Sequence, residues 1–324
     1  MRFRVASRSA DERAAHREKL NGFFTAALGE GKSRTGAFNP RGLKDLDDAK
    51  YEIAELIVQL VSDEVNVTDP TPFMVETTNS AFGDQLLWQE FYGDLRVTRR
   101  AYGSKALSQR LHVREWGVET TMKEIAMELP LEEIASGRMS ASQAVDAMAQ
   151  AVVRYKAAFV CDSIDAGVPA ATNDRTGITG YTLRYSGLTT TNLGRAIDGL
   201  RDDADTPTIF GRHIALHPAV RGFTGFSDLQ LREFEVRGQA GAFLGAPLVT
   251  LADRYSKMFG GHNLRTDRVY ITGGTKGAVM VDTDVSFMNY AEVSAKDGVF
   301  TIGFRFEGGI LVHDPYRYRI IEIA

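Results

Sequence analysis

One cysteine, Cys161, stands in 324 residues. An internal disulfide and a cysteine zinc cluster are therefore excluded, and this usage suits a reducing compartment. Long apolar runs are missing too: none approaches the roughly 18–20 residues that span a bilayer. Residues 1–20 are charged along their length and contain no apolar stretch, so they do not read as a signal peptide. A soluble intracellular product is expected. Nor is there a large excess of charge of one sign. With 38 Lys and Arg against 42 Asp and Glu, the formal charge is -4 and the pI is near 5.9. That balance argues against a strong electrostatic grip on nucleic acid while leaving room for local basic patches. Internal repeats and low-complexity tracts are absent. What is present is 44 % apolar and 25 % charged residues, a globular composition with length for one large or two ordinary domains.

Catalytic signatures are equally sparse. Neither a Gly-x-Ser-x-Gly elbow nor a Gly-x-Gly-x-x-Gly turn occurs. Residues 26–33, ending in Gly31-Lys32-Ser33, fit the relaxed phosphate-loop pattern. That chemistry needs the loop to leave a buried strand and open a helix, so that backbone N–H groups face the phosphates. Residues 17–24 do not read as a strand, and residues 34–40 do not read as a helix. His213 and His217 are four apart, a zinc spacing on a helix, but they lie in a predicted strand, where that separation is about 13 Å. The paired acids Glu132-Glu133 and Asp202-Asp203 read as solvated helix faces. No catalytic residue, cofactor site or metal site is expected.

Along the chain, the first forty residues are polar and loop-like, either a loose tail or an extended arm that orders against neighbouring subunits. Leu43, Leu46, Ile53, Leu56, Ile57, Leu60 and Val61 then mark one face of a helix, which Asp69-Pro70-Thr71-Pro72 ends. Residues 87–92 and 110–116 read as two strands flanking an arginine-rich tip. This protruding hairpin has too little apolar surface for a core of its own. Residues 120–137 read as helical, broken at Pro130. Ser140 and Gln143 have capping-box spacing and open a long helix reaching Gly167, with Val145, Met148, Val152, Tyr155 and Phe159 predicted as its core stripe and Cys161 buried.

Beyond residue 170 the pattern becomes α/β. A helix carrying Leu193, Ala196, Ile197 and Leu200 follows the N-capping run Thr189-Thr190-Thr191. Strands are predicted at residues 208–216 and 247–251, with a helix at 227–234 between them. Residues 268–272 and 278–281 are predicted to pair as a hairpin around Gly273-Gly274-Thr275-Lys276-Gly277. A strand signal then runs from Val299 to the last residue, with Phe300, Ile302, Phe304 and Phe306 on one side.

This order of parts resembles the major capsid protein of tailed bacteriophages, the Hong Kong 97-type shell fold. The local matches are residues 192–200 leading into 209–218, Gly245-Ala246-Pro247-Leu248-Val249, and residues 300–312 followed by Asp314-Pro315. The resemblance implies an α+β fold with an N-terminal arm and helix (1–65), an extended hairpin loop (66–120), and a peripheral domain with a spine helix (121–175). An axial domain (176–279) and return strands of the peripheral domain (280–324) would follow. It also implies a non-enzymatic head protein that assembles into hexamers and pentamers, forming an icosahedral shell around double-stranded DNA without reading its sequence. Assembly would take place in the host cytoplasm, the end location being the virion capsid, with no membrane involved. Arg96, Arg99, Arg100, Tyr102, Lys105 and Arg110 are the expected assembly contacts. A separate scaffolding protein, a portal and a decoration protein are the implied partners, and Lys105 with Asn289 is a conceivable crosslink. The alternatives are an encapsulin-like nanocompartment shell and, in a different class, a nucleotide-binding enzyme using Gly31-Lys32-Ser33.

Overall fold

The structure, a computed structural model, describes residues 9–28, 40–79, 87–92, 112–169, 182–202, 206–212, 214–216, 242–251, 264–265, 267–282, 287–294 and 298–323. Ser9 and Glu12 form a reciprocal capping box: the Ser9 Oγ accepts from the Glu12 N–H at 3.2 Å, and the Glu12 carboxylate accepts from the Ser9 N–H at 2.9 Å. The box opens helix α1 (Ala10–Leu28). The expectation of a tail or extended arm is therefore corrected over these residues. Leu20 and Phe24 lie one turn apart and are fully buried, and Phe24 meets Phe300 edge-on at 5.9 Å. Arg17 ties the helix down by reaching Glu64 at 3.2 Å and Asp146 at 2.6 Å.

Helix α2 (Pro40–Thr68) buries Leu46, Ile53, Leu56, Ile57, Leu60 and Val61 of the predicted stripe, the Leu43 side chain lying outside what is described, and ends where the Asp69 carboxylate accepts from the Thr71 N–H at 2.9 Å. A short 3-10 turn (Thr71–Phe73) leads into strand β1 (Glu76–Asn79). Strands β2 (Leu87–Tyr92) and β3 (His112–Gly117) pair antiparallel as the predicted hairpin. Residues predicted helical form strand β4 (Thr121–Pro130), which pairs antiparallel with a C-terminal strand along its whole length. Met, Lys, Glu, Ala and Leu favour helix intrinsically, but Ile125, Met127 and Leu129 alternate inward, and sheet pairing overrides propensity. Only Leu131–Ala135 is helical, as α3.

Helix α4 (Ala141–Gly167) opens at the predicted Ser140–Gln143 capping box. Its buried face turns partway along. Val145, Met148 and Val152 pack with α1 and α2, whereas Ala157, Val160, Cys161 and Ile164 pack in a second core. Tyr155 and Phe159 fall outside both and stack on each other at 6.0 Å under the Lys123 ammonium, so the single predicted stripe is corrected beyond Val152. The cause is geometric: a stripe spaced by threes and fours repeats every seven residues and drifts around a 3.6-residue helix.

The remaining elements are β5 (Arg184–Ser186), α5 (Thr190–Asp202), β6 (Thr208–Arg212), β7 (Ala242–Phe243), β8 (Ala246–Leu251), β9 (Arg268–Thr272), β10 (Ala278–Asp282), β11 (Phe287–Ser294), β12 (Val299–Val312) and β13 (Tyr318–Glu322). One sheet runs β1-β10-β12-β11, with β4 also paired to β12; the other runs β5-β13-β9-β6-β8-β7. The second sheet is covered on both faces, which its alternation shows. Ile209, Val269, Ile271 and Ile321 face α5, while Phe210, Tyr270, Tyr318 and Ile320 face the far half of α4.

Three further expectations are corrected. Strand β6 ends at Arg212, and residues 214–216 are helical. Strands β9 and β10 do not pair with each other: β9 lies between β13 and β6, and β10 between β1 and β12. The glycine-rich link between them hands the chain from one sheet to the other. Finally, the C-terminal strand signal is split by a 3-10 turn at Pro315–Arg317, so β12 and β13 belong to different sheets.

Candidate functional site

The β2–β3 hairpin belongs to neither large sheet. Its register sets Trp88 opposite Trp116 and Phe91 opposite Val113, so Leu87, Gln89, Val113 and Glu115 share one face. That face is open: Leu87 is 55 % and Val113 49 % exposed, and between them Gln89 donates to Glu115 at 2.6 Å. On the opposite face Arg114 covers the Trp116 ring at 4.7 Å. Trp116 in turn lies 6.2 Å from the His313 ring at the end of β12. Directly after the hairpin, buried Val118 joins Val279, Val281 and Leu311. The hairpin is thus fastened at its root and open along one face. An isolated two-stranded ribbon is marginally stable in water, so this one is suited to resting on a surface beyond its own sheets.

The expected assembly contacts Arg96, Arg99, Arg100, Tyr102, Lys105 and Arg110 lie outside the described residues, as do His213, His217 and Gly31-Lys32-Ser33. Asn289 lies on β11 at a register shift between Met288 and Tyr290. What precedes the phosphate-loop pattern is helix α1, where nucleotide binding requires a strand. Glu132, Glu133 and Asp202 are exposed, in keeping with solvated helix faces. Among the described residues there is no cluster of His, Cys, Asp and Glu that could hold a metal, and no helix long and apolar enough to cross a membrane.

The ionic cluster at the end of α4 was not foreseen. Asp165, 9 % exposed at its side chain, pairs with Arg268 at 2.6 Å and lies 3.7 Å from Arg265. The Tyr270 hydroxyl donates to its other oxygen at 3.0 Å. Burial, reinforced by the neighbouring Asp165 carboxylate, pushes the Tyr270 phenol well up and keeps it a donor. Arg184 donates to the Asp165 and Val168 carbonyls and reaches Glu322 at 3.0 Å; Arg268 reaches Glu322 at 3.3 Å. The cluster joins α4, β5, β9 and β13 in one network. Each of these residues reads alone as a surface charge, and only the topology brings them together. Cys161 is buried beside this cluster, as predicted; burial first, then the Asp165 and Asp162 carboxylates, push its thiol up, making it an inert core residue.

No family model matches the sequence, and no curated protein does. Among solved structures, the mature capsid of bacteriophage PhiM1 aligns with a TM-score of 0.52 at 9 % identity, over 79 % of this chain and 87 % of that one. The capsid of cyanophage P-SCSP1u aligns with a TM-score of 0.51 at 12 % identity, over 79 % and 88 %. For the capsid of Ralstonia phage GP4 the TM-score is 0.49 at 12 % identity, over 77 % and 86 %. At these identities the likeness is one of fold: the chain has an α+β architecture of the Hong Kong 97-like capsid kind.

Proposed function

We propose that this chain is the major capsid protein of a tailed bacteriophage, assembling through hexamers and pentamers into an icosahedral shell around packaged double-stranded DNA. The observation that carries the proposal is the β2–β3 hairpin, outside both large sheets with Leu87 and Val113 uncovered, on a fold shared with phage capsid structures. A ribbon of this kind gains stability on a neighbouring subunit, and many such weak contacts become strong in a closed assembly. On this reading the tip residues Arg96, Arg99, Arg100, Tyr102, Lys105 and Arg110 touch the neighbour. The protein is structural and not an enzyme. A formal charge of -4 suits a container that must release its DNA, since extensive phosphate contacts would retain it. A scaffolding protein, a portal and a decoration protein are the partners such a shell would take, and assembly takes place in the host cytoplasm.

Electron microscopy and sedimentation of the purified protein, expressed with and without neighbouring genes, test the reading. Closed particles or capsomers are expected. A monomer or dimer under every condition refutes it, and closed shells filled with an enzyme instead of DNA favour a nanocompartment. Replacing Arg99 and Arg100 with glutamate is expected to reduce shell yield at least tenfold while circular dichroism of the monomer is unchanged; normal yield removes the tip from assembly.

A further inference from the structure

Strand β4 forms an edge of its sheet. It pairs with β12 at every position from Thr121 to Pro130, and the other side of β12 is taken by β11 and β10. Among the described residues no strand lies along the far side of β4. So long an edge presents a row of backbone N–H and C=O groups that β12 does not reach, and exposed edges usually carry a protecting device. Here such devices are missing. The register is unbroken by a bulge, the one proline is the last residue, and Lys123 turns inward over the Tyr155 and Phe159 rings. On the inner face Leu129 is buried, whereas Ile125 and Met127 keep partial exposure, as on a strand with a neighbour on one side only. The outer face is open and acidic, with Met122, Glu124, Ala126 and Glu128 all exposed.

Resting on the shell reading, we infer that this edge takes residues 1–8 of a second copy as an added strand. That segment, outside the described residues, reads Met1-Arg2-Phe3-Arg4-Val5-Ala6-Ser7-Arg8, with three cations and no acid. Arg2 and Arg4 alternate with Phe3 and Val5, the period of a strand. Added to β4, that alternation sets the arginines beside Glu124 and Glu128 and the apolar pair beside Ile125 and Met127. The charge pattern disfavours the simplest rival, two β4 edges joined by a two-fold axis, which would gather Glu124 and Glu128 of both copies on one face. The other basic stretch, residues 96–110, is less suited, because Arg99 and Arg100 are adjacent and break the alternation. Within one chain, Arg13 and Arg17 hold the start of α1 to Glu64 and Asp146. The segment therefore sets out from the helical layer and not from the edge of the sheet.

Charge reversal in the full-length chain tests the pairing. Arg2→Glu with Arg4→Glu is expected to lower capsomer and shell yield about tenfold, read by sedimentation and electron microscopy, with the urea midpoint of the unassembled protein unchanged. Adding Ala126→Arg and Glu128→Arg, both at exposed outer positions, is expected to recover most of that yield. Parental yield from the first variant, or no recovery in the second, overturns the inference and leaves the shell reading standing. Chains carrying Arg4→Cys and differently tagged chains carrying Ala126→Cys are then co-assembled and treated with a short bis-maleimide, which the buried Cys161 does not meet. A mixed dimer is expected. A crosslink formed only within a chain carrying both substitutions also overturns the inference, since residues 1–8 would then lie on their own β4. A parent chain that never assembles refutes the shell reading, and this contact with it.

Discussion

Asp165 shows how a single side chain positions a helix against a sheet. It receives Arg268 and Tyr270 from β9 and lies 3.9 Å from Arg184 on β5, with little access to water. Asp165→Ala would leave the half-exposed Glu322 as the ion-pair partner of Arg184 and Arg268 among the described residues. The expected loss is about 3 kcal/mol in urea unfolding, the cost of a buried charge robbed of its partner. Asp165→Asn keeps both acceptor and shape and is expected to cost less. Cys161 offers a second check at this scale. Its burial predicts that a thiol reagent leaves it unmodified in the folded protein and labels it on unfolding. The burial of Cys161 was legible because it sits in an apolar helix. The Asp165 network was not, because its members come from residues 165, 184, 268 and 322 and nothing in their local spacing links them.

At the scale of elements, what could be read followed local chemistry. The Ser140–Gln143 box, the threonines ahead of α5 and the alternation in β12 each announce themselves within a few residues. Ser140→Ala removes a cap that serves a 27-residue helix crossing two cores, and about 1 kcal/mol of stability is expected to go with it in denaturant titration. The same signal stood at Ser9-Ala10-Asp11-Glu12, and Leu20, Phe23, Phe24, Ala27 and Leu28 follow at helical spacing; α1 went unread because that stripe is confined to its second half, behind a charged stretch. Strand β4 was hidden for the opposite reason. Its residues favour helix, and the alternation of Ile125, Met127 and Leu129 acquires meaning only beside β12. The hairpin was legible as two strands, whereas its fastening by Trp116 on His313 depends on a residue far along the chain.

For the molecule as a whole, the two sheets are joined by two links that run side by side. Residues 273–277 lead from β9 to β10, and residues 313–317 lead from β12 to β13. Gly277 accepts from the His313 and Asp314 N–H groups, and the Gly273 N–H donates to Arg317. A Cβ at Gly277 would lie 2.0 Å from the Asp314 carbonyl oxygen, so Gly277→Ala must force the links apart. A loss of about 2–4 kcal/mol is expected by thermal or denaturant unfolding. No local pattern forecasts this arrangement, because the Gly273–Gly277 segment has the composition of a hairpin turn. The second link also sets an order in time. Strand β13 lies between β5 and β9, inside the second sheet. On the ribosome β5 emerges long before it, by on the order of ten seconds at ordinary elongation rates. Throughout that interval β5 lacks its one strand partner among the described residues, and the α5 face of the sheet lacks Ile321. A nascent chain therefore withholds this sheet until translation has passed β13, and a polypeptide interrupted earlier offers its sister chains only an unfinished surface.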